Sequence, residues 1–198
     1  MSNTVNDKDP QYGIYLEHLG NIFLPNEVDE LRDDFHKQDI LFFERDTSGE
    51  IINNIDEISN QVCFYLTTPL VLGIINGVLP NAVWDITKAT ISSIFKRLIG
   101  KKYNKLTSKG PEIEPISFGV DIKLSKDERF IFKFETITSE ETLLIALDKI
   151  LDFTEKQSKH KNIEKHIEYL VQFDEEKMEW NKTNLLDFIQ RYIIRKTK

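Results

Sequence analysis

The sequence of 198 residues predicts an α+β fold, with a mainly antiparallel sheet built from hairpin–helix units and packed against four or five helices. Three observations support this class. Apolar and polar residues alternate in paired runs at 116–134 and 167–180, which is the pattern of strands. Apolar residues at helical spacing occupy 82–99 and 139–155. The order strand, strand, helix recurs at 12–37, 116–155 and 166–195, without sequence identity between the three segments.

The first region begins with a polar, acidic segment at 1–11, which we predict to be a flexible lead. Short strands are predicted at 13–16 and 22–24. A helix follows from about residue 26, because Val28, Leu31 and Phe35 share one helical face. The β-rich run 40–43 predicts a further strand.

A long apolar stretch separates this region from the rest of the chain. Residues 61–67 are rich in β-branched and aromatic side chains and predict a buried strand. Pro69 and Pro80 then permit two helix starts, so that 69–99 is predicted to form an apolar helix pair. The segment 101–115 is polar, and we interpret it as a connector. It divides the chain into regions 12–110 and 111–198, and one continuous domain is the alternative.

The clearest local pattern is the predicted hairpin at 116–134. Phe130, Phe132 and Phe134 alternate with polar residues, and they are expected to point into the core. Lys133 and Glu135 are then expected to face water. The predicted helix 139–155 follows a capping box, and a second hairpin at 167–180 leads into a final amphipathic helix at 185–193.

Charge is distributed unevenly along the chain. Residues 1–57 carry fourteen acids and four bases, residues 58–111 carry seven bases against Asp85 alone, and residues 112–198 carry eighteen acids and fifteen bases, which gives the net charge of −7. No charged residue lies between positions 58 and 84. An acidic head is therefore followed by an apolar segment, a basic segment and a nearly balanced tail.

The sequence shows no chemical signature of an enzyme. It contains no phosphate-binding glycine loop, no nucleophile elbow and no metal-ligand spacing among its four histidines and single cysteine. Cys63 lies among apolar residues, which predicts a buried, inert thiol and a reducing compartment. We therefore predict no catalytic residues, no cofactor and no metal.

The charge layout leads to the functional prediction. We expect a non-enzymatic accessory subunit that binds a larger protein or a second copy of itself in the cytoplasm. The basic segment supplies the candidate partner-binding residues, which are Lys96, Arg97, Lys101, Lys102 and Lys105. Nucleic acid is not expected as a partner of the chain alone, because the isoelectric point is about 5.2.

Two alternatives stay open. The apolar residues 62–99, with lysines after them, also fit a membrane-associated effector, although the two prolines interrupt any span. An enzyme with an unrecognised site is the second alternative. Abundant Ile, Asn and Lys indicate an AT-rich bacterial genome. The overall plan is loosely similar to that of small accessory proteins of bacterial conflict and antiviral defence loci, but no motif carries this likeness and it assigns no residue.

Overall fold

The computed structural model describes residues 12–20, 23–48, 60–107, 110–159 and 167–196, and these form an α+β fold. The predicted lead at 1–11 lies outside the described residues. The strands are β1 (Gly13–His18), β2 (Leu41–Asp46), β3 (Val62–Leu66), β4 (Lys102–Thr107), β5 (Gly110–Pro115), β6 (Phe118–Lys123), β7 (Glu128–Lys133), β8 (Ile167–Asp174) and β9 (Glu179–Asn184). The helices are α1 (Pro25–His36), α2 (Thr68–Ile75), α3 (Asn81–Leu98), α4 (Glu140–Ser158) and α5 (Leu185–Lys196).

The main sheet has seven strands in the order β2-β1-β3-β6-β7-β8-β9. It is mixed, so the prediction of a mainly antiparallel sheet is wrong. β1 and β2, β3 and β6, and β7 and β8 pair in parallel, while the other three pairings are antiparallel. Helices lie in the connection between the two strands of each parallel pair: α1 between β1 and β2, α2 and α3 between β3 and β6, and α4 between β7 and β8. Such a crossover returns the chain to the end of the sheet where the first strand began, so the second strand runs in the same direction.

Two local predictions also differ from the structure. Residues 23 and 24 form no strand, and β1 pairs instead with β2 beyond α1. The predicted connector 101–115 contains the β4–β5 hairpin, which forms a separate two-stranded sheet. Since β3 pairs directly with β6, the regions on either side of this hairpin contribute strands to one sheet.

The first face of the main sheet packs against α1, α2, α3 and α4 in one hydrophobic core. Phe130, Phe132 and Phe134 all point into this core, as predicted. Phe132 lies between the rings of Phe153 and Trp180, at centroid distances of 5.5 and 5.0 Å. The Trp180 indole donates a hydrogen bond to the carbonyl of Ala146, which ties α4 to the sheet at 2.9 Å.

The second face of the sheet is partly covered by α5, where Leu185 packs with Ile131 and Leu170. The prediction that Lys133 faces water is wrong, because the residue is only 2% exposed. Its ammonium group forms an ion pair with Glu135 at 2.6 Å. The alternation of apolar and polar residues correctly predicted that Lys133 points away from the first face. It could not show that the second face is covered as well.

None of the helices in the described ranges combines the length and the apolar character needed to cross a membrane.

The central position of Phe132 gives a stability prediction. Phe132→Ala should lower the free energy of unfolding by ~3–5 kcal/mol, because a buried aromatic side chain is lost and a cavity is left. Ile113→Ala is the control, since Ile113 is 69% exposed, and it should change stability by less than ~0.5 kcal/mol. Urea unfolding measures both, and equal shifts would contradict the assigned core.

Candidate functional site

Among the concave sites of the described surface, one lies at the end of α3 and another on the second face of the main sheet. The first, which we call the α3 cleft, encloses about 520 Å³. The second, the polar recess, combines an inner cavity of about 200 Å³ and an adjoining outer cleft of about 470 Å³. The two parts of the recess share Tyr65, Asp121, Arg129 and Glu168.

The floor of the α3 cleft is apolar. It is formed by the C-terminal end of α3 and by the adjacent ends of β6 and β7, through Phe95, Leu98, Phe118, Phe134 and Ile137. The Phe118 and Phe134 rings lie 5.3 Å apart between their centroids. The volume is within the range of sites that hold a small ligand or an inserted side chain.

The rim of the α3 cleft carries two predicted site residues, Lys101 and Lys102. Both are exposed, and neither forms an ion pair within the described part of the chain. The acidic residues of the rim already have partners: Glu135 pairs with Lys133, and Glu114 accepts a hydrogen bond from the Tyr103 hydroxyl at 3.2 Å. The rim therefore places two lysines without an ion-pair partner among the described residues beside an apolar floor.

The other predicted site residues lie elsewhere. Lys96 forms an ion pair with Glu140 at 2.7 Å, which joins α3 to α4. Arg97 donates two hydrogen bonds of 2.6 Å to the Glu27 carboxylate, which joins α3 to α1. Lys105 lies opposite Glu112 in the β4–β5 ladder. The structure thus places Lys101 and Lys102 together at the cleft, and it uses Lys96 and Arg97 in contacts between helices.

These contacts shift the acidity of both carboxylates. Hydrogen bonds from Arg97 and then from the Leu24 backbone hold the pKa of Glu27 below its ordinary value. Hydrogen bonds from Lys96 and Ser92 lower the pKa of Glu140 in the same way. Both carboxylates are therefore held in the charged form that pairs with α3.

The base of the β4–β5 hairpin forms one wall of the cleft. Gln61 donates from Nε2 to the Tyr103 hydroxyl at 3.0 Å, and the Ile116 amide donates to the Lys101 carbonyl at 3.3 Å. These bonds attach the hairpin to the start of β3 and to the start of β6. Ile113 lies further along β5 and is 69% exposed.

The polar recess is organised by an ion pair between neighbouring strands. Arg129 on β7 donates from Nε to Asp121 Oδ1 at 3.0 Å and from Nη2 to Asp121 Oδ2 at 2.6 Å. Its Nη1 donates to Glu168 on β8 at 3.0 Å. Asp121 is only 4% exposed, so this bidentate contact offsets the free-energy cost of removing its carboxylate from water.

Three acidic groups that line the recess have raised pKa values, which favours their neutral forms. Burial raises the pKa of Asp121, even though Arg129 opposes the shift. Burial also raises the pKa of Tyr65, and Cys63 and Glu17 raise it further. The pKa of the Cys63 thiol lies well above its ordinary value, again mainly because of burial. Cys63 is buried, as predicted, and a thiol with a raised pKa forms the nucleophilic thiolate less readily.

Asn60 closes the inner cavity at the start of β3. Its Nδ2 donates to the Phe132 carbonyl at 3.3 Å. Its Oδ1 is buried and has no hydrogen-bond partner among the described residues. The side chain crosses β6 at Gly119, where an added Cβ would lie 2.0 Å from the Phe132 carbonyl oxygen and 2.3 Å from Asn60 Nδ2. Only glycine permits this close approach.

The recess brings carboxylates, a guanidinium, a phenol and an amide together beside an apolar wall. Within the described ranges, no group of three His, Cys, Asp or Glu side chains could hold a metal ion. The sequence analysis missed the recess because its residues come from β3, β6, β7 and β8. The only sequence signal was Asp121 with Arg129, which occupy the two strands of the predicted hairpin.

Comparisons with protein-family models, with curated proteins and with solved structures found no match for this chain.

Gly119 provides a test of the recess geometry. Gly119→Ala should lower the free energy of unfolding by ~1–3 kcal/mol, because its methyl group overlaps backbone that cannot rotate away. Gly13→Ala is the control, since a Cβ there meets its nearest atom at an ordinary 3.4 Å. Chemical denaturation compares the two, and a Gly119→Ala protein as stable as the native chain would show that the packing is wrong.

The Arg97 contact predicts an acid-dependent effect. The stabilisation from Glu27 is present above its ordinary pKa of 4.5 and is lost as the pH falls through the lowered folded value. Arg97→Met should therefore raise the titration midpoint of the Glu27 carboxyl, as followed by NMR, and should weaken the acid dependence of stability. Lys101→Met removes an equal charge without touching Glu27. The same midpoint in both variants would exclude the Arg97–Glu27 pair in solution.

Proposed function

We propose that this protein is a non-enzymatic accessory subunit, which binds a larger protein of a bacterial complex through the α3 cleft. The partner supplies a polypeptide segment in which an apolar side chain is flanked by acidic residues. The observation that carries the proposal is an apolar floor beside two exposed lysines, Lys101 and Lys102, that have no ion-pair partner in the described part of the chain.

The chemistry of the cleft supports a polypeptide segment as the ligand. An apolar anchor gains free energy by leaving water for the floor around Phe118 and Phe134. Acidic flanks complement the lysines, which raises the association rate and fixes the orientation more than it increases affinity. Gly100, with a φ of +74°, ends α3 and directs the chain into this lysine pair.

The β4–β5 hairpin supports the same assignment. Among the described strands it pairs with none of the main sheet, and Ile113 exposes most of its apolar surface. A hairpin that forms one wall of an apolar cleft offers a second contact surface to a bound segment. Such a surface serves partner binding better than it serves stability of the free chain.

The membrane-associated alternative is less well supported. The apolar residues of α2 and α3 pack into the core, and Leu70, Val71, Val83 and Ile91 are each 0% exposed. Membrane contact would require surface that the fold has already buried.

An enzymatic alternative would have to use the polar recess. The wider assignment to a cytoplasmic conflict or antiviral defence system rests on the sequence plan alone.

The test places a photo-crosslinking residue at Ile99, which lines the cleft and is 51% exposed. A matched probe at Leu144, 39% exposed on α4, reports nonspecific capture. One defined protein should crosslink to the Ile99 probe in the source cell and not to the Leu144 probe. That protein is then purified for rate measurements.

Charge reversal tests whether the lysines of the α3 cleft, and not those of another surface, contact the partner. The pair Lys101→Glu and Lys102→Glu should slow association by about tenfold at low salt, with a smaller effect at high salt. The pair Lys156→Glu and Lys159→Glu changes the net charge equally, on exposed residues at the end of α4, and should have little effect. Equal rates in all variants would remove the cleft from the interface. Turnover of a nucleotide, nucleic acid or peptide by the isolated chain would overturn the non-enzymatic assignment.

A further inference from the structure

We propose that the polar recess is a binding site for a compact organic cation, a primary ammonium or a guanidinium group on a short carbon chain. This inference does not depend on the α3 cleft, which lies on the other side of the sheet. It rests on three properties of the recess: an excess of carboxylates, a buried acceptor without a partner, and a cavity of matching size.

The first property is charge. In the inner cavity, the carboxylates of Asp121 and Glu168 share a single guanidinium, that of Arg129. The four additional charged residues of the outer cleft are two lysines and two acids, so the recess as a whole keeps one negative charge in excess. In a partly desolvated cavity this excess favours a cation over an anion or a neutral molecule.

The second property is the set of free acceptors. Asn60 Oδ1 is buried at the wall of the inner cavity and accepts no hydrogen bond from the part of the chain that the structure describes. A buried acceptor without a donor costs free energy, and an ammonium or guanidinium N–H would remove that cost. Arg129 uses Oε1 of Glu168, whose side chain is 44% exposed. An ammonium or guanidinium group forms stronger hydrogen bonds with such a carboxylate than a neutral donor does.

The third property is shape. The inner cavity of about 200 Å³ admits a few heavy atoms, and the outer cleft of about 470 Å³ provides the entrance. Ile131 and Leu185 give the inner cavity an apolar wall that suits a short carbon chain. Tyr65 lines both parts of the recess, and an aromatic ring attracts a desolvated cation.

The same geometry disfavours the other ligand classes. An anion would need Arg129, but the guanidinium already donates to both Asp121 and Glu168. A metal ion would need at least three suitable ligands, and the described side chains provide no such group. The pKa of Tyr65 is raised mainly by burial, and the nearby Glu17 and Asp121 charges add to that shift in the same direction.

The experiment is an NMR chemical-shift titration of the full chain at low salt with four probes. Methylguanidinium and n-propylammonium are the cations, butanamide is the neutral probe and acetate is the anion. Both cations should give saturable shifts at the amides of residues 60, 65, 121, 129 and 168. Butanamide and acetate should give none there, and added salt should weaken the binding of the cations.

Glu168→Gln is the diagnostic variant, because it removes one charge from a partly exposed side chain and keeps its shape. It should weaken cation binding by about tenfold, the loss expected for one charge-assisted hydrogen bond. Glu155→Gln is the matched control: Glu155 is 45% exposed and also pairs with a cation, Lys159, but lies on α4 outside the recess. Its cation affinity should equal that of the native chain.

Three outcomes would overturn the proposal. The first is the absence of saturable shifts with either cation. The second is equal binding of the cations and the neutral probe. The third is an unchanged affinity in Glu168→Gln, which would place the bound cation outside the recess. A purely structural role for Glu168 would change the unfolding midpoint without producing cation-dependent shifts in the native chain, so the two roles are distinguishable.

Discussion

The central β6–β7 hairpin is buried on both faces, and this constraint determines where charge can lie in the molecule. Its first face carries the phenylalanine residues that join four helices to the sheet. Its second face carries Asp121 and Lys133, which are 4% and 2% exposed. Charges in such positions must be paired, because the cost of removing them from water exceeds the contribution of ordinary packing contacts. Arg129 and Glu135 provide those partners, and the polar recess is the space that the Asp121–Arg129 pair borders.

Several basic residues of α3 form ion pairs with acidic residues of the two neighbouring helices, because α3 lies between α1 and α4. Lys88 and Lys96 pair with acids of α4, and Arg97 pairs with Glu27 of α1. Exposed ion pairs contribute at most ~1 kcal/mol each, so they orient the helices more than they stabilise them. Lys101 and Lys102 follow Gly100 beyond the helix, and neither forms an ion pair within the part of the chain that the structure describes. The positive charge available to a partner is therefore what remains after the internal pairs have formed.

The sequence patterns of neighbouring residues predicted the strands and helices better than they predicted which strands pair in the sheet. Alternation at 116–134 identified β6, β7 and the direction of each phenylalanine, because that signal is contained in neighbouring residues. The parallel pairing of β7 with β8 depends on how α4 returns to the sheet, which no local pattern records. The burial of Lys133 depends on the cover over the second face, which alternation within one strand does not show. Of the candidate site residues, Lys101 and Lys102 were predicted and line a cleft, whereas the recess was missed because Asn60, Asp121 and Glu168 are distant in sequence.

The start of β3 connects the two sites physically. Asn60 lines the recess, whereas Gln61 lines the α3 cleft and holds the base of the hairpin through Tyr103. Gln61 also exchanges hydrogen bonds with Ser117, which donates from its amide to Gln61 Oε1 at 2.7 Å and accepts from the Gln61 amide at 3.0 Å. These bonds fix the register in which Gly119 passes beneath Asn60. A side chain at Gly119 would displace Asn60 from the Phe132 carbonyl, because its Cβ would lie 2.3 Å from Asn60 Nδ2. The absence of a Cβ at this position of β6 therefore allows Asn60 to close the recess while the next residue, Gln61, holds the wall of the α3 cleft.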